Sequence, residues 1–309
     1  MRGAFVRTLT ELAGTDERIM LLTGDLGFMA LEPFRDRFPS RFINAGVAEQ
    51  NMVGIATGLA EAGFVPFVYS IATFATLRPY EFIRNGPVWH GLQVRIVGIG
   101  GGFEYGTQGL SHHALEDIAV MRVQPGMRVL APADHEQTVS VLRQTWDAPG
   151  PAYYRLGKDD RTVVPGLGGR FAPGDVQIVR EGTDVTFVAT GGVAVEAAAA
   201  GELLAARGVA ATVAVVAELH PAPTPRLVEA CARTPVVVTV EAHYAAGGLG
   251  SLVAETIAEH GLATRLVRCG VREVSDGRSG SQQYMYERHG LGRAALAATA
   301  WRALGRSSS

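Results

Sequence analysis

The stretch Arg41 to Glu61, RFINAGVAEQNMVGIATGLAE, places a single carboxylate, Glu49, where an apolar strand-like piece hands over to a helix. Phe42 and Ile43 precede a turn at Gly46, and Met52, Val53, Ile55, Ala56 and Leu59 then recur at helical spacing. An acid there either complements the helix dipole or is a half-buried carboxylate held for proton chemistry, and spacing alone favours the first. A second cluster, Gln108-Gly109-Leu110-Ser111-His112-His113, joins a hydroxyl to two imidazoles. Adjacent histidines leave a turn in different directions, which suits a packed or solvated loop better than a shared metal. Ser111 is expected to cap a helix starting near His113, with Glu116 and Asp117 in its first turns against the dipole. Arg155 closes the strand-like run Pro151 to Gly157, a position typical of a surface ion-pairing residue. Gly24-Asp25 reads as a turn. The glycines at 100–102 follow a strand but lack the spacing of a dinucleotide-binding loop.

These groups need a scaffold, and the chain supplies one. With 309 residues, 47% hydrophobic content and 38 glycines, it is long enough for two ordinary α/β domains, each with its own core. A formal net charge of −2 with scattered charges lacks the electrostatic footprint of a nucleic-acid binder. The segment MRGAFVRTLTELAG is too amphipathic for a secretory signal, and no run approaches the roughly 18 apolar residues of a membrane span, so the cytoplasm is the expected location. Cys231 and Cys269 lie far apart in apolar surroundings, which excludes a CxxC pair and points to burial.

Periodicity predicts a helix over 3–13 and strands at Ile19 to Leu22, Phe64 to Tyr69, Gln93 to Gly98, Val129 to Ala131 and Pro151 to Gly157. Between them, the segment 70–90 sets Phe74, Leu77, Phe82 and Ile83 on one helical face, which reads as core packing. A turn at Pro132-Ala133-Asp134 leads into a helix running to about Trp146. Residues 159–175 are rich in glycine and proline and read as a linker. Strands at 185–189, 211–216 and 235–241 then alternate with helices at 193–207 and 224–233, and Gly247-Gly248-Leu249-Gly250 opens another helix. The expected fold is α/β, two consecutive open parallel-sheet domains spanning 1–165 and 176–309, with a disordered tail at 305–309.

The tetrad Ala48-Glu49-Gln50-Asn51 after a glycine resembles the pyrimidine-domain signature of the transketolase family of thiamine-diphosphate enzymes, and GTQGLSHHALED is the next most specific match. In that family the matching glutamate hydrogen-bonds the ring nitrogen of the cofactor's aminopyrimidine and promotes the tautomer that deprotonates the thiazolium carbon, a role the resemblance gives to Glu49. It implies an aromatic stacked on the pyrimidine, for which Phe74 is the candidate with Ile71 as an apolar substitute, and it brings Asp25 near the cofactor and Tyr80 to the pocket wall. Ser111-His112 matches a threonine-histidine pair whose histidine contacts the donor sugar, so His112 becomes a substrate residue and His113 a weaker one. Gln108 stands near where many members have an aspartate that contacts a sugar hydroxyl. Arg155 matches an arginine that binds the substrate phosphate with its guanidinium fork.

The resemblance covers nearly the whole chain as a pyrimidine domain followed by a C-terminal domain, to which it gives dimer stabilisation and no chemistry. A full transketolase also has a diphosphate domain that supplies the Mg²⁺ ligands. No Gly-Asp-Gly magnesium motif occurs in this sequence. The expected protein is therefore one half of a split transketolase acting on a sugar or sugar phosphate, with Mg²⁺ and the diphosphate held by a partner chain in an α2β2 assembly. Alternatives are a deoxyxylulose-phosphate-synthase-like enzyme, a 2-oxoacid-dehydrogenase beta-like chain, or a non-catalytic partner.

Overall fold

The computed structural model describes residues 1–273 and 276–306, so the end of the expected disordered tail, Ser307 to Ser309, lies outside the described residues. Strands β1 (Ile19–Thr23), β2 (Phe42–Asn44), β3 (Val65–Ile71), β4 (Arg95–Ile99), β5 (Arg128–Leu130) and β6 (Ala152–Leu156) belong to a first sheet. β7 (Gln177–Arg180), β8 (Val185–Ala189), β9 (Ala211–Val215), β11 (Val236–Tyr244) and β12 (Arg265–Val271) make a second, while β10 (Glu218–His220) returns to the first. The orders are β10-β5-β6-β4-β3-β1-β2 and β12-β11-β8-β9-β7. All ladders are parallel except β10 on β5 and β7 on β9, so both sheets are mixed at one edge, where the sequence predicts parallel strands throughout.

Apolar runs such as IMLLT in β1 are buried along their whole length because helices cover both faces of the sheet. Phe5, Phe67, Tyr69 and Tyr154 pack on one side with the helix Arg2–Ala13, and Met52, Val53, Ile83 and Tyr153 on the other. β10 lies after β9 in sequence yet completes the first sheet, and residues of both sheets share one apolar cluster. Among the described residues, no helix is long and apolar enough to cross a membrane. Burial pushes the Cys231 and Cys269 thiols up to about 11.

Two helical expectations fail locally. The segment 70–90 is three pieces, Ala72–Leu77, Tyr80–Ile83 and a π turn at Arg84–Val88, because Pro79 interrupts the first helix and Pro87 falls in the turn. The phase shifts at the break, so Ala72, Thr73, Ala75 and Thr76 face inward while Leu77 and Phe82 stay 44% and 42% exposed. The second helix begins at Asp117, not near His113, and Ser111 sits in the 3-10 turn Leu110–His112 without capping it.

The helix Ala72–Leu77 lies directly on β4. A β-carbon on Gly98 would stand 2.9 Å from the Ala72 Cα and 2.7 Å from the Tyr153 hydroxyl. Gly98→Ala is therefore expected to destabilise the chain by about 1–3 kcal/mol through overpacking, read as a lowered denaturation midpoint. A midpoint equal to wild type would show that the helix rides free of the strand.

Candidate active site

Glu49 is the first residue of the helix Glu49–Glu61 and is 4% exposed. The chain reaches it through Gly46, whose φ of 73° turns the backbone after β2. Asn44 ties this approach to the loop after β1. Its Oδ1 accepts the backbone N–H groups of Asp25 and Gly46, each at 3.0 Å, and its Nδ2 donates to Asp25 Oδ1 at 3.1 Å. Asp25, left-handed at φ 57° and exposed, thus sits beside the Glu49 loop, where the Asn44 amide holds its carboxylate.

A second element brings the aromatic. Phe74 lies within Ala72–Leu77 and Arg78 at its C-terminal cap, four residues on, so the two share one helical face. The Arg78 guanidinium lies 3.8 Å from the centre of the Phe74 ring, and its Nη1 donates to Glu49 Oε1 at 2.9 Å. The Glu49 side chain in this pair is 3% exposed and that of Arg78 45%. His112 packs edge-on to Phe74 with ring centres 5.1 Å apart, and its Nδ1 meets the Ser111 hydroxyl at 2.9 Å. The Thr73 hydroxyl donates to the Ser111 carbonyl at 3.1 Å, fastening the histidine loop to the Phe74 helix. Burial, then the neighbouring charges of His113 and Arg78, lower the His112 pKa below the ordinary histidine value. Lys158 Nζ stands 4.1 Å over the Tyr105 ring, which lies 5.9 Å from His112 and closes that side.

The fold thus brings Glu49, Phe74 and His112 together, with Asp25 beside them. It sends other sequence candidates elsewhere. His113 is 2% exposed, its Nε2 bonds the Gly106 carbonyl at 3.0 Å and its ring packs edge-on to Phe103, so it is a core residue and not a substrate contact. Tyr80 is a strut: its hydroxyl donates to the Val120 carbonyl at 3.1 Å and accepts from Gln124. Gln108 stays on the exposed turn Gly106–Gln108, accepting from the Thr107 hydroxyl. Ile71 ends β3 in ladder register with Ile99.

Arg155 departs furthest from expectation. It is 5% exposed, so it is no surface residue. Its Nε donates to Asp117 Oδ2 at 2.7 Å, and its Nη2 donates to the carbonyls of Ala114 and Ala242, both at 2.9 Å. The Tyr153 hydroxyl adds a 2.6 Å bond to the same Asp117 oxygen. Ala242 belongs to β11, so this guanidinium bolts the first sheet to the second, and the fork that the resemblance turns toward a substrate phosphate is turned on the protein's own acceptors. Asp117 is accordingly an internal counter-ion, not a surface acid complementing a dipole.

Arg78 is the member of the site that sequence reasoning missed. Its spacing from Phe74 was the available signal, but nothing local ties position 78 to position 49. Chemically the cluster offers a shielded carboxylate that can hold or share a proton, an aromatic face for a planar ring, and an imidazole at the rim for hydroxyls. Among the described residues, no group of three His, Cys, Asp or Glu side chains is placed to hold a metal ion.

A family model described as the transketolase pyrimidine-binding domain matches residues 1–162, and one described as the transketolase C-terminal domain matches residues 174–296. One of the two chains of an apulose-4-phosphate transketolase from Phocaeicola vulgatus is 34% identical over 97% of this chain and 96% of its own length. A 6-deoxy-6-sulfo-D-fructose transketolase chain of a Clostridium species is 36% identical over 94% of this chain and 90% of its own. A solved structure described as a split gene transketolase in an inactive beta4 tetramer superposes with a TM-score of 0.87 at 37% identity, covering 99% of this chain and 98% of that one.

Proposed function

The chain belongs to the transketolase family, and from that premise we propose that it is the pyrimidine-domain subunit of a two-chain, cytoplasmic, thiamine-diphosphate-dependent transketolase. It moves a two-carbon ketol unit from a ketose to an aldose and works only with a partner chain. The observation that carries this reading is the pairing of a shielded carboxylate with an aromatic face. The Arg78 guanidinium, a flat N–H donor, lies 3.8 Å over Phe74 while reaching Glu49 Oε1 at 2.9 Å. A flat heterocycle with a ring nitrogen fits the same two groups, so the residues present suit the aminopyrimidine of the cofactor.

When bound, thiamine diphosphate supplies the carbon nucleophile that carries the ketol unit. Phe74 supports the flat ring and Glu49 holds a proton against its nitrogen, from which water is kept by the burial of the carboxyl. Ser111 bonds one nitrogen of His112, which orients the imidazole and leaves Nε2 for a ketose hydroxyl. The Mg²⁺ and diphosphate belong to the partner. Support for a partner lies in the exposed apolar residues around the site: Val47 is 72% exposed, Leu77 44%, Phe82 42% and Trp89 73%, more than an isolated surface keeps without reason. Two copies of each chain suit sites formed between subunits.

Calorimetry with thiamine diphosphate and Mg²⁺, on this chain alone and mixed with the product of a neighbouring gene for a diphosphate domain, tests the reading. Tight binding only in the mixture, with two-carbon transfer and no release of CO₂ from pyruvate, is the expected result. Full activity of the purified chain alone would sink it, and CO₂ release would move it to a different thiamine chemistry.

A further inference from the structure

We propose that Arg78 is an internal occupant of the pyrimidine site, which fills the place of the cofactor's ring in the unliganded chain and must leave for the cofactor to enter. The inference rests on the reading of Glu49 and Phe74 given above and adds a competitor for them. Two contacts carry it. The guanidinium covers a face of Phe74 at 3.8 Å, and its Nη1 holds Glu49 Oε1 at 2.9 Å. These are the two interactions an aminopyrimidine needs, a stacking surface and a carboxylate, and one planar group of this chain makes both of them.

The physical reason for such an occupant lies in Glu49. Its side chain is 3% exposed, and a carboxylate so shielded is costly without a hydrogen-bonding partner. Arg78 is the partner that the structure provides. Its own side chain is 45% exposed and hangs from a helix end, at the cap of Ala72–Leu77, so it can swing away without disturbing packed atoms. A cation on an aromatic face and a half-exposed ion pair are both weak contacts. The occupant therefore satisfies the empty site yet yields to a ligand that also has a diphosphate to anchor it. Arg78 also adds to the charges that lower the His112 pKa, so its departure alters the field at the substrate-side imidazole.

The competition has a direction that no supporting role shares. If Arg78 fills the site, removing it frees Glu49 and Phe74, and the ring binds more tightly. If Arg78 holds Glu49 in place for the cofactor, or touches the cofactor itself, removing it weakens binding. The test is the affinity of thiamine diphosphate, by calorimetry, for the reconstituted complex carrying wild-type chain, Arg78→Ala or Arg78→Gln. The same comparison on the chain alone uses the free hydroxymethyl aminopyrimidine half of the cofactor, titrated by NMR.

Arg78→Ala is expected to tighten both by about three- to thirtyfold, the strength of one exposed cation–π contact and one half-exposed ion pair together. Arg78→Gln, which keeps a donor but loses the charge and most of the stack, should fall between. Added salt should narrow the gap between Arg78→Ala and wild type, since the ion pair being removed is itself screened. Wild-type binding with unchanged or weaker binding in Arg78→Ala overturns this proposal and leaves the cofactor reading standing. Binding by neither protein overturns both.

Discussion

Glu49→Gln in the reconstituted two-chain complex is expected to lower kcat by about a hundred- to ten-thousand-fold, the range over which a positioned proton-handling group acts. The amide keeps the shape and the volume of the side chain, so the helix Glu49–Glu61 and its buried contacts at Met52, Val53 and Ala56 are retained. What is lost is the ability to hold a proton and pass it. Cofactor binding should persist, because the amide still offers a hydrogen bond and Phe74 still offers its face. The expected signature is therefore a fall in kcat with an unchanged circular-dichroism spectrum and a thiamine-diphosphate affinity within about tenfold of wild type, the worth of a single hydrogen bond. Two-carbon transfer from a ketose donor would measure it. Activity in Glu49→Gln close to wild type would remove Glu49 from the chemistry and favour a chain that keeps the fold without catalysis.

Breaking the buried pair between Asp117 and Arg155 should have the largest effect on stability. Their side chains are 1% and 5% exposed, and Arg155→Met would leave the Asp117 carboxylate without its cation in a place water does not reach. Removing one member of such a pair costs about 3–5 kcal/mol, against only a few kcal/mol or less for replacing both with apolar groups of similar volume. Arg155→Met is thus expected to melt far below wild type or to fail to fold, and Asp117→Leu combined with Arg155→Met to recover much of the loss. Measured by urea denaturation, equal stability of Arg155→Met and wild type, together with a raised KM for a phosphorylated sugar, would restore the phosphate-binding role that the resemblance suggests.

The same pair carries a pH dependence. Burial pushes the Asp117 carboxyl up, but the Arg155 guanidinium, with His243 and the bonds from Arg155 and Tyr153, outweighs it and holds Asp117 below the usual carboxylate value. A carboxyl lowered on folding contributes stability above its unfolded value, about 3.9, which is lost as pH falls through the folded value. Acid denaturation of wild type in that window should flatten when both members are replaced.

Much of this site was legible along the chain. Strand, glycine turn and helix around Glu49 are a local pattern, and the dipole position of the acid follows from that pattern alone. Phe74 and His112 came from matching short motifs, and the fold does set their rings together. Other residues in equally suggestive local settings went elsewhere. His113 stands next to His112, yet its ring turns into the core against Phe103, because successive residues of a turn project in different directions. The aromatic stripe at 70–90 has a helical period on paper, but Pro79 ends one helix and resets the phase of the next.

What the amino-acid sequence determined by itself is the alternation of buried strands and helices, the two-sheet class of fold and the place of Glu49, since each depends on periodicity, turn residues and a motif within a few positions. Only the tertiary structure decided that β10 completes the first sheet, that Arg155 is an internal bolt and that Arg78 reaches Glu49. The reason is common to all three. A backbone edge, a guanidinium fork or a carboxylate takes its role from its partner, and here the partners lie 38 residues away for Asp117 and Arg155 and 29 for Glu49 and Arg78. No local pattern encodes such distances. They are set when parallel strands bring the ends of separate segments to the same side of a sheet.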